Sequence, residues 1–118
     1  MIKLLCFFKA KPGISVQQMR EYYESTHVPL AYRLLPPFLG YRRNYPGERY
    51  QPSHIKTVSA MPDFDVMTEI WYEDEDYARM LEIIGDPEIA RELAEDEANF
   101  LDRDSMMMML VEEVGRGD

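Results

Sequence analysis

His27 is the side chain best suited to move a proton near neutral pH, because an unperturbed imidazole titrates in that range. It sits in Glu24-Ser25-Thr26-His27-Val28-Pro29-Leu30, where Pro29 lacks the N–H that a helical ladder needs. The backbone at His27 therefore has to leave regular helix. A histidine at a helix end, favoured by the dipole, would occupy the same place, so the motif by itself leaves catalysis and end-capping open. His54 lies in a long loop with Pro and Ser neighbours, where a structural or solvent-facing role suffices. Glu69 is the ionisable residue in the middle of Val66-Met67-Thr68-Glu69-Ile70-Trp71-Tyr72-Glu73 and shares a strand face with Met67 and Trp71. Turned inward, it would have its pKa raised by burial and become a candidate acid or base; turned outward, it is a solvated strand residue. Tyr41, Arg43 and Tyr45 have one parity in another extended run and Arg42 and Asn44 the other, so either set could offer hydrogen bonds to a pocket.

Other chemistries find less support. Arg42, Arg43 and Arg49 interleaved with Tyr41, Tyr45 and Tyr50 are the types that hold single-stranded nucleic acid. The net charge of −9 argues against phosphate partners and favours a small carboxylate or phenol. Carboxylate clusters at Asp102 with Asp104 and at Glu92 with Glu95 and Asp96 lack the His/Cys spacing of a zinc site, and no metal is expected. A Gly-rich phosphate loop, a GxSxG elbow and a CxxC pair are all absent from the sequence. The run Met106 to Met109 is ordinary core filler, yet flexible thioethers on both strand faces, Met107 and Met109 among them, would suit a pocket for planar apolar ligands.

The elements that must position these residues follow from the punctuation of the chain. Its 118 residues suit one domain, with a core over 1–114 and a polar tail at 115–118. Ile2 to Lys9 is a first strand closed by Lys11-Pro12-Gly13, and Ser15-Val16-Gln17-Gln18 reads as a capping box opening a helix that kinks at His27 and restarts at Pro29. Leu39 to Tyr45 is a second strand, and residues 46–64 form a long connection, a candidate lid. Val66 to Glu73 is a third strand. A helical region from Asp76, interrupted at Gly85-Asp86-Pro87, precedes a fourth strand from Ser105 to Glu113. The order βαββαβ predicts an α+β fold of ferredoxin-like plan, a four-stranded antiparallel sheet with helices on one face. Strands one and four are apolar at both parities, so the face without helices needs a cover, and a homodimer packing sheet on sheet supplies it.

Charge is uneven: residues 1–59 hold nine Lys/Arg against three Asp/Glu, and residues 60–118 hold four against nineteen. Acidic solvent-facing helices in the second half account for this. No apolar run reaches the roughly 20 residues of a membrane span, and the N-terminus lacks the cleavage site of a signal peptide. A single cysteine, Cys6, permits no intrachain disulfide, so a cytoplasmic location is expected.

These residues resemble the EthD family of dimeric α+β barrel proteins. The likeness runs through Ile2-Lys3-Leu4-Leu5, Lys11-Pro12-Gly13-Ile14-Ser15, Tyr22-Tyr23-Glu24 and, most specifically, His27-Val28-Pro29-Leu30. It continues through Gly40-Tyr41 with Asn44, Asp65, Glu69-Ile70-Trp71-Tyr72, Asp96-Glu97 with Phe100 and Asp102, and Met107-Met108-Met109 before Glu112-Glu113. The resemblance implies a dimer whose sheets enclose a pocket in each subunit, no organic cofactor, and His27 at the position of a pocket histidine. The expectation is a homodimeric, cofactor-independent enzyme for an apolar cyclic, aromatic or polyketide-like metabolite. His27 would act as general acid/base in an oxidation, isomerisation or decarboxylation. Glu69 would assist, and Tyr41, Asn44, Trp71, Met107 and Met109 would contact substrate. A non-catalytic accessory that holds such a ligand for a partner oxygenase, and a cofactorless monooxygenase acting on a hydroquinone or phenol, are the competing expectations.

Overall fold

Alternation decides which side of each strand meets the helices. In β1 (Ile2–Ala10), Leu4, Cys6 and Phe8 are buried, while Lys3, Leu5 and Phe7 turn to the opposite side. The computed structural model describes residues 1–48, 50–51, 56–57 and 64–115. After β1 the chain forms α1 (Val16–Tyr22), one turn of π-helix over Tyr23–His27, α2 (Val28–Leu34) and β2 (Gly40–Asn44). Two short strands, β3 (Tyr50–Gln51) and β4 (Lys56–Thr57), pair with each other. Next come β5 (Val66–Tyr72), α3 (Asp74–Ile84), α4 (Pro87–Glu97) and β6 (Leu101–Val111). The main sheet is antiparallel in the order β2-β5-β1-β6, and the helices lie on the Leu4/Cys6/Phe8 face. This is the α+β plan expected from the order of elements.

Local chemistry sets the element ends. The Ser15 hydroxyl accepts from the Gln18 N–H at 3.0 Å and the Gln18 side chain accepts from the Ser15 N–H at 2.8 Å, closing the expected capping box. The break at His27 takes the form of a widened turn: the Val28 N–H reaches back five residues to the Tyr23 carbonyl, and Pro29, which has no N–H, falls in the first turn of α2. Asp86 separates α3 from α4 by accepting from the Glu88 and Ile89 N–H groups at 2.9 and 3.4 Å.

The fourth strand begins earlier than Ser105. A register shift between Phe7 and Lys9 lets Leu101 and Asp102 pair with Ala10 and Lys9. Ser105 fills the irregularity, accepting from the Lys9 N–H at 2.9 Å and donating to the Asp102 carbonyl at 2.6 Å. A polar stretch that reads as loop is thereby drawn into the sheet. His54 and most of the 46–64 connection lie outside the described residues, as do residues 116–118 of the tail.

Phe100 is the hub of the core. It is fully buried and its ring lies 5.9 Å from that of Phe8, 5.3 Å from those of Tyr22 and Tyr23, and 5.0 Å from that of His27. Leu4, Tyr72 and Met80 form a second buried cluster towards the other end of the sheet. No described helix is long and apolar enough to cross a membrane. Phe100→Ala should cost about 3–5 kcal/mol of unfolding free energy in urea denaturation, because it opens a cavity where five aromatic rings meet.

Candidate functional site

The widened turn places His27 against α4. Its Nδ1 lies 2.8 Å from Asp96 Oδ2, and the other oxygen of Asp96 accepts from the Tyr22 hydroxyl at 2.6 Å. Asn99 in turn donates to the Tyr22 oxygen at 2.9 Å. The carboxylate thus holds Nδ1–H and leaves Nε2 as the ring nitrogen with a free lone pair. His27 is 8% exposed, and its ring meets that of Tyr23 in a T-shaped contact at 5.7 Å and packs against Phe100.

His27 lines a cavity of about 290 Å³ between the sheet and the helices. That equals roughly ten water molecules of liquid volume, space for one small ligand. The sheet contributes Leu4, Cys6, Phe8, Ile70 and Tyr72, and the helices Ala31, Met80, Ile84 and Leu93. Polar groups are few: besides His27 there are Glu97, Arg103, Thr68 and the phenols Tyr23, Tyr41 and Tyr72. On its other side Asp96 borders a surface groove with Thr26, Arg33, Glu92 and Asn99. The His27–Asp96 pair therefore bridges an apolar interior and a wet exterior, which is the placement a proton shuttle requires.

Desolvation controls the ionisable groups around the cavity. Burial pushes the Glu97 carboxyl above its ordinary range, against the pull of nearby His27 and Arg103, whose Nε is 3.3 Å from Glu97 Oε1. Burial, with the neighbouring Glu97 charge, pushes the Cys6 thiol up to about 12, so Cys6 is an apolar wall and not a nucleophile. The Tyr23 phenol is likewise raised to about 12, mainly by burial.

The candidate residues read from the sequence divide between the two faces of the sheet. Tyr41 joins His27 in the cavity. Glu69 does not, because it alternates with Thr68 and Ile70, which face inward, and so points to the opposite side with Trp71. There Glu69 meets Lys3 Nζ at 3.0 Å and accepts from Asn44 at 2.9 Å. Burial works to raise the Glu69 carboxyl, but the hydrogen bonds from Asn44 and Lys3 outweigh it and hold the group below the ordinary carboxylate range. Asn44 is on that face too, opposite Met67 in the ladder. Met107 and Met109 pair with Phe7 and Leu5 there, which takes them out of the cavity, where Met106 and Met108 stand instead.

Two cavity groups, Glu97 and Tyr23, and the His27 partner Asp96 are not marked as site residues by the sequence. Tyr23 lies one helical turn before His27, a spacing that brings the two side chains together. Asp96 and Glu97 sat inside a run of acidic residues whose solvated members look the same in sequence.

A protein-family model described as "EthD domain" matches residues 11–104. No curated protein matches the sequence. Among solved structures, an ethyl tert-butyl ether degradation (EthD) family protein from Bacillus halodurans is 20% identical, covering 97% of this chain and 100% of its own, with a TM-score of 0.61. A protein from Arabidopsis thaliana is 16% identical over 99% of both chains, with a TM-score of 0.60. One from Agrobacterium tumefaciens is 12% identical, covering 97% of this chain and 94% of its own, at 0.55. At these identities the structures establish a shared fold.

Because the Glu97 carboxyl is raised in the folded state, the folded protein binds more protons than the unfolded chain above the ordinary value of 4.5. Glu97 therefore subtracts stability as pH rises through that window. Relative to the wild type, Glu97→Gln should be more stable at about pH 7 than at about pH 4, as read by urea denaturation at the two pH values.

Proposed function

The chain belongs to the EthD domain family, and from that premise we propose that its cavity binds a small apolar cyclic or aromatic compound and that His27 moves a proton on it. The observation that carries this reading is the 2.8 Å contact between His27 Nδ1 and Asp96 at the wall of the apolar cavity. Asp96 fixes the tautomer and stabilises the imidazolium that forms when Nε2 accepts a proton. The site residues assigned to this step are His27 as acid/base, Asp96 as the residue that orients it, and Tyr41 as a substrate contact. Glu69, Trp71, Asn44, Met107 and Met109 are assigned instead to the outer face of the sheet.

We infer that this outer face packs against a second copy of the chain. Leu5, Phe7, Met67, Trp71, Met107 and Met109 share it, and no described helix covers it. Exposed apolar area of this kind is seldom left to water, and a twofold axis covers two identical patches at once. The contacts that hold Lys3, Glu69 and Asn44 together would let polar groups enter such an interface already partnered.

A direct assay of the proton-moving role is incubation with a panel of C–H-acidic cyclic ketones and phenols in deuterium oxide, read by mass spectrometry. The wild type should incorporate deuterium, and His27→Ala should slow incorporation about a hundredfold or more. Ligands that bind and emerge unlabelled from both proteins would instead support an accessory protein that holds its ligand for an oxygenase. For the assembly, sedimentation should give a dimer mass, and Met109→Lys should shift it to the monomer; an unchanged dimer would remove Met109 from the interface.

A further inference from the structure

Tyr23, Tyr41 and Thr68 carry three hydroxyls that meet in the cavity wall. The Tyr23 oxygen is 2.9 Å from that of Tyr41 and 2.8 Å from Thr68 Oγ1. Three hydroxyls bring three protons, and a chain of two hydrogen bonds consumes two of them. Whichever way the chain runs, one O–H points out of it. No other described residue accepts a hydrogen bond from any of the three. A donor in an apolar cavity without an acceptor is costly to the empty protein and useful to a ligand that supplies one.

The outlet is Tyr41. Thr68 and Tyr23 are 1% and 3% exposed, whereas Tyr41 is only half-buried. Its ring is fixed in place, 4.9 Å from Phe38 and 4.8 Å from the Arg43 guanidinium. Arg43 is itself locked by two hydrogen bonds to Glu24, at 2.9 and 2.6 Å. Burial raises both phenols above their ordinary range, so at neutral pH they are O–H donors and not phenolates.

We propose that the cavity takes a neutral cyclic ketone or quinone-like compound whose carbonyl oxygen accepts the spare proton of the Tyr41–Tyr23–Thr68 hydroxyl chain. A charged acid fits less well, because the walls are apolar and Arg43 is committed to Glu24. The inference rests on reading the cavity as a ligand site, and it gives His27 a substrate: a hydrogen bond to the carbonyl acidifies the adjacent C–H. That C–H bond breaks, its proton goes to His27, its electron pair becomes the enolate held by the hydroxyls, and the proton returns at the same or another atom.

Calorimetric titration with 1-indanone and indane separates the outcomes, since the two probes match in shape except for the carbonyl and have about ten non-hydrogen atoms, the size this cavity admits. The wild type should bind 1-indanone about three to ten times tighter than indane. Tyr41→Phe should reverse that order, and His27→Ala should keep it while losing deuterium exchange into the ketone. Should Tyr41→Phe fail to fold, the infrared C=O stretch of 1-indanone bound to the wild type takes its place, and it should lie below the value in hexane. Equal binding of the two probes, an unchanged order in Tyr41→Phe or an unshifted stretch would overturn the hydroxyl assignment and leave the cavity reading intact. Absence of binding by both probes would overturn both.

Discussion

The contact between His27 and Asp96 depends on a backbone irregularity, and much of the interior depends on that contact in turn. Pro29 supplies no N–H, so the helix from Ser15 cannot run through it unbroken. The chain widens one turn into π-helix at Tyr23–His27 and resumes at Val28. This single turn delivers Tyr23 and His27 to the cavity together. It also presents Nδ1 to α4, where Asp96 is held by Tyr22 from the preceding turn. One insertion in the helical ladder thus orients an imidazole, a phenol and the carboxylate that holds the imidazole. Such turns recur at functional sites because they rotate side chains that regular helix would aim elsewhere.

Parity explains how one sheet serves two purposes. In β5, Thr68, Ile70 and Tyr72 look into the cavity while Met67, Glu69 and Trp71 look out, so neighbours one residue apart belong to different environments. The inner side offers the cavity few polar groups, and among them Glu97 pairs with Arg103 near the end of α4. Lys3, Glu69 and Asn44 on the outer side hold one another among apolar neighbours. Arg42 and Lys3 also lie over the Trp71 ring, 5.5 and 4.6 Å from its centroid, which keeps these long side chains flat on the sheet. Gly40 opposes Trp71 in the ladder, and a Cβ there would come within 2.8 Å of the indole, so the small residue leaves the ring its place.

Much of this was legible in the sequence, and what was not has a physical reason. The order of elements, the Ser15–Gln18 box, the break at His27 and the two apolar parities of β1 and β6 are local patterns, and local patterns can be read. Side-chain direction within β5 was not legible, because Glu69 fits either face until the neighbouring strand registers are known. The pairing of His27 with Asp96 spans 69 residues and required knowing which turn of α4 meets the widened helix. The early start of β6 was hidden for a similar reason: Asp102, Arg103 and Asp104 precede the strand read from Ser105, and a register shift opposite Phe7 and Lys9 draws them into it.

The low polarity of the cavity determines what its few polar groups can do. In water, a histidine, a carboxyl and two phenols would each keep their ordinary behaviour. Here burial raises the Glu97 carboxyl and keeps the Tyr23 and Tyr41 phenols in their proton-bearing forms, and His27 meets Asp96 on the wet side, away from the apolar walls. Acceptor and donor are thereby separated: Nε2 has the free lone pair, while the hydroxyl chain has the spare proton. In the function proposed for it, a cavity with that division would relocate a proton on a neutral molecule without carrying net charge into its apolar interior, where an unpaired ion would be most costly.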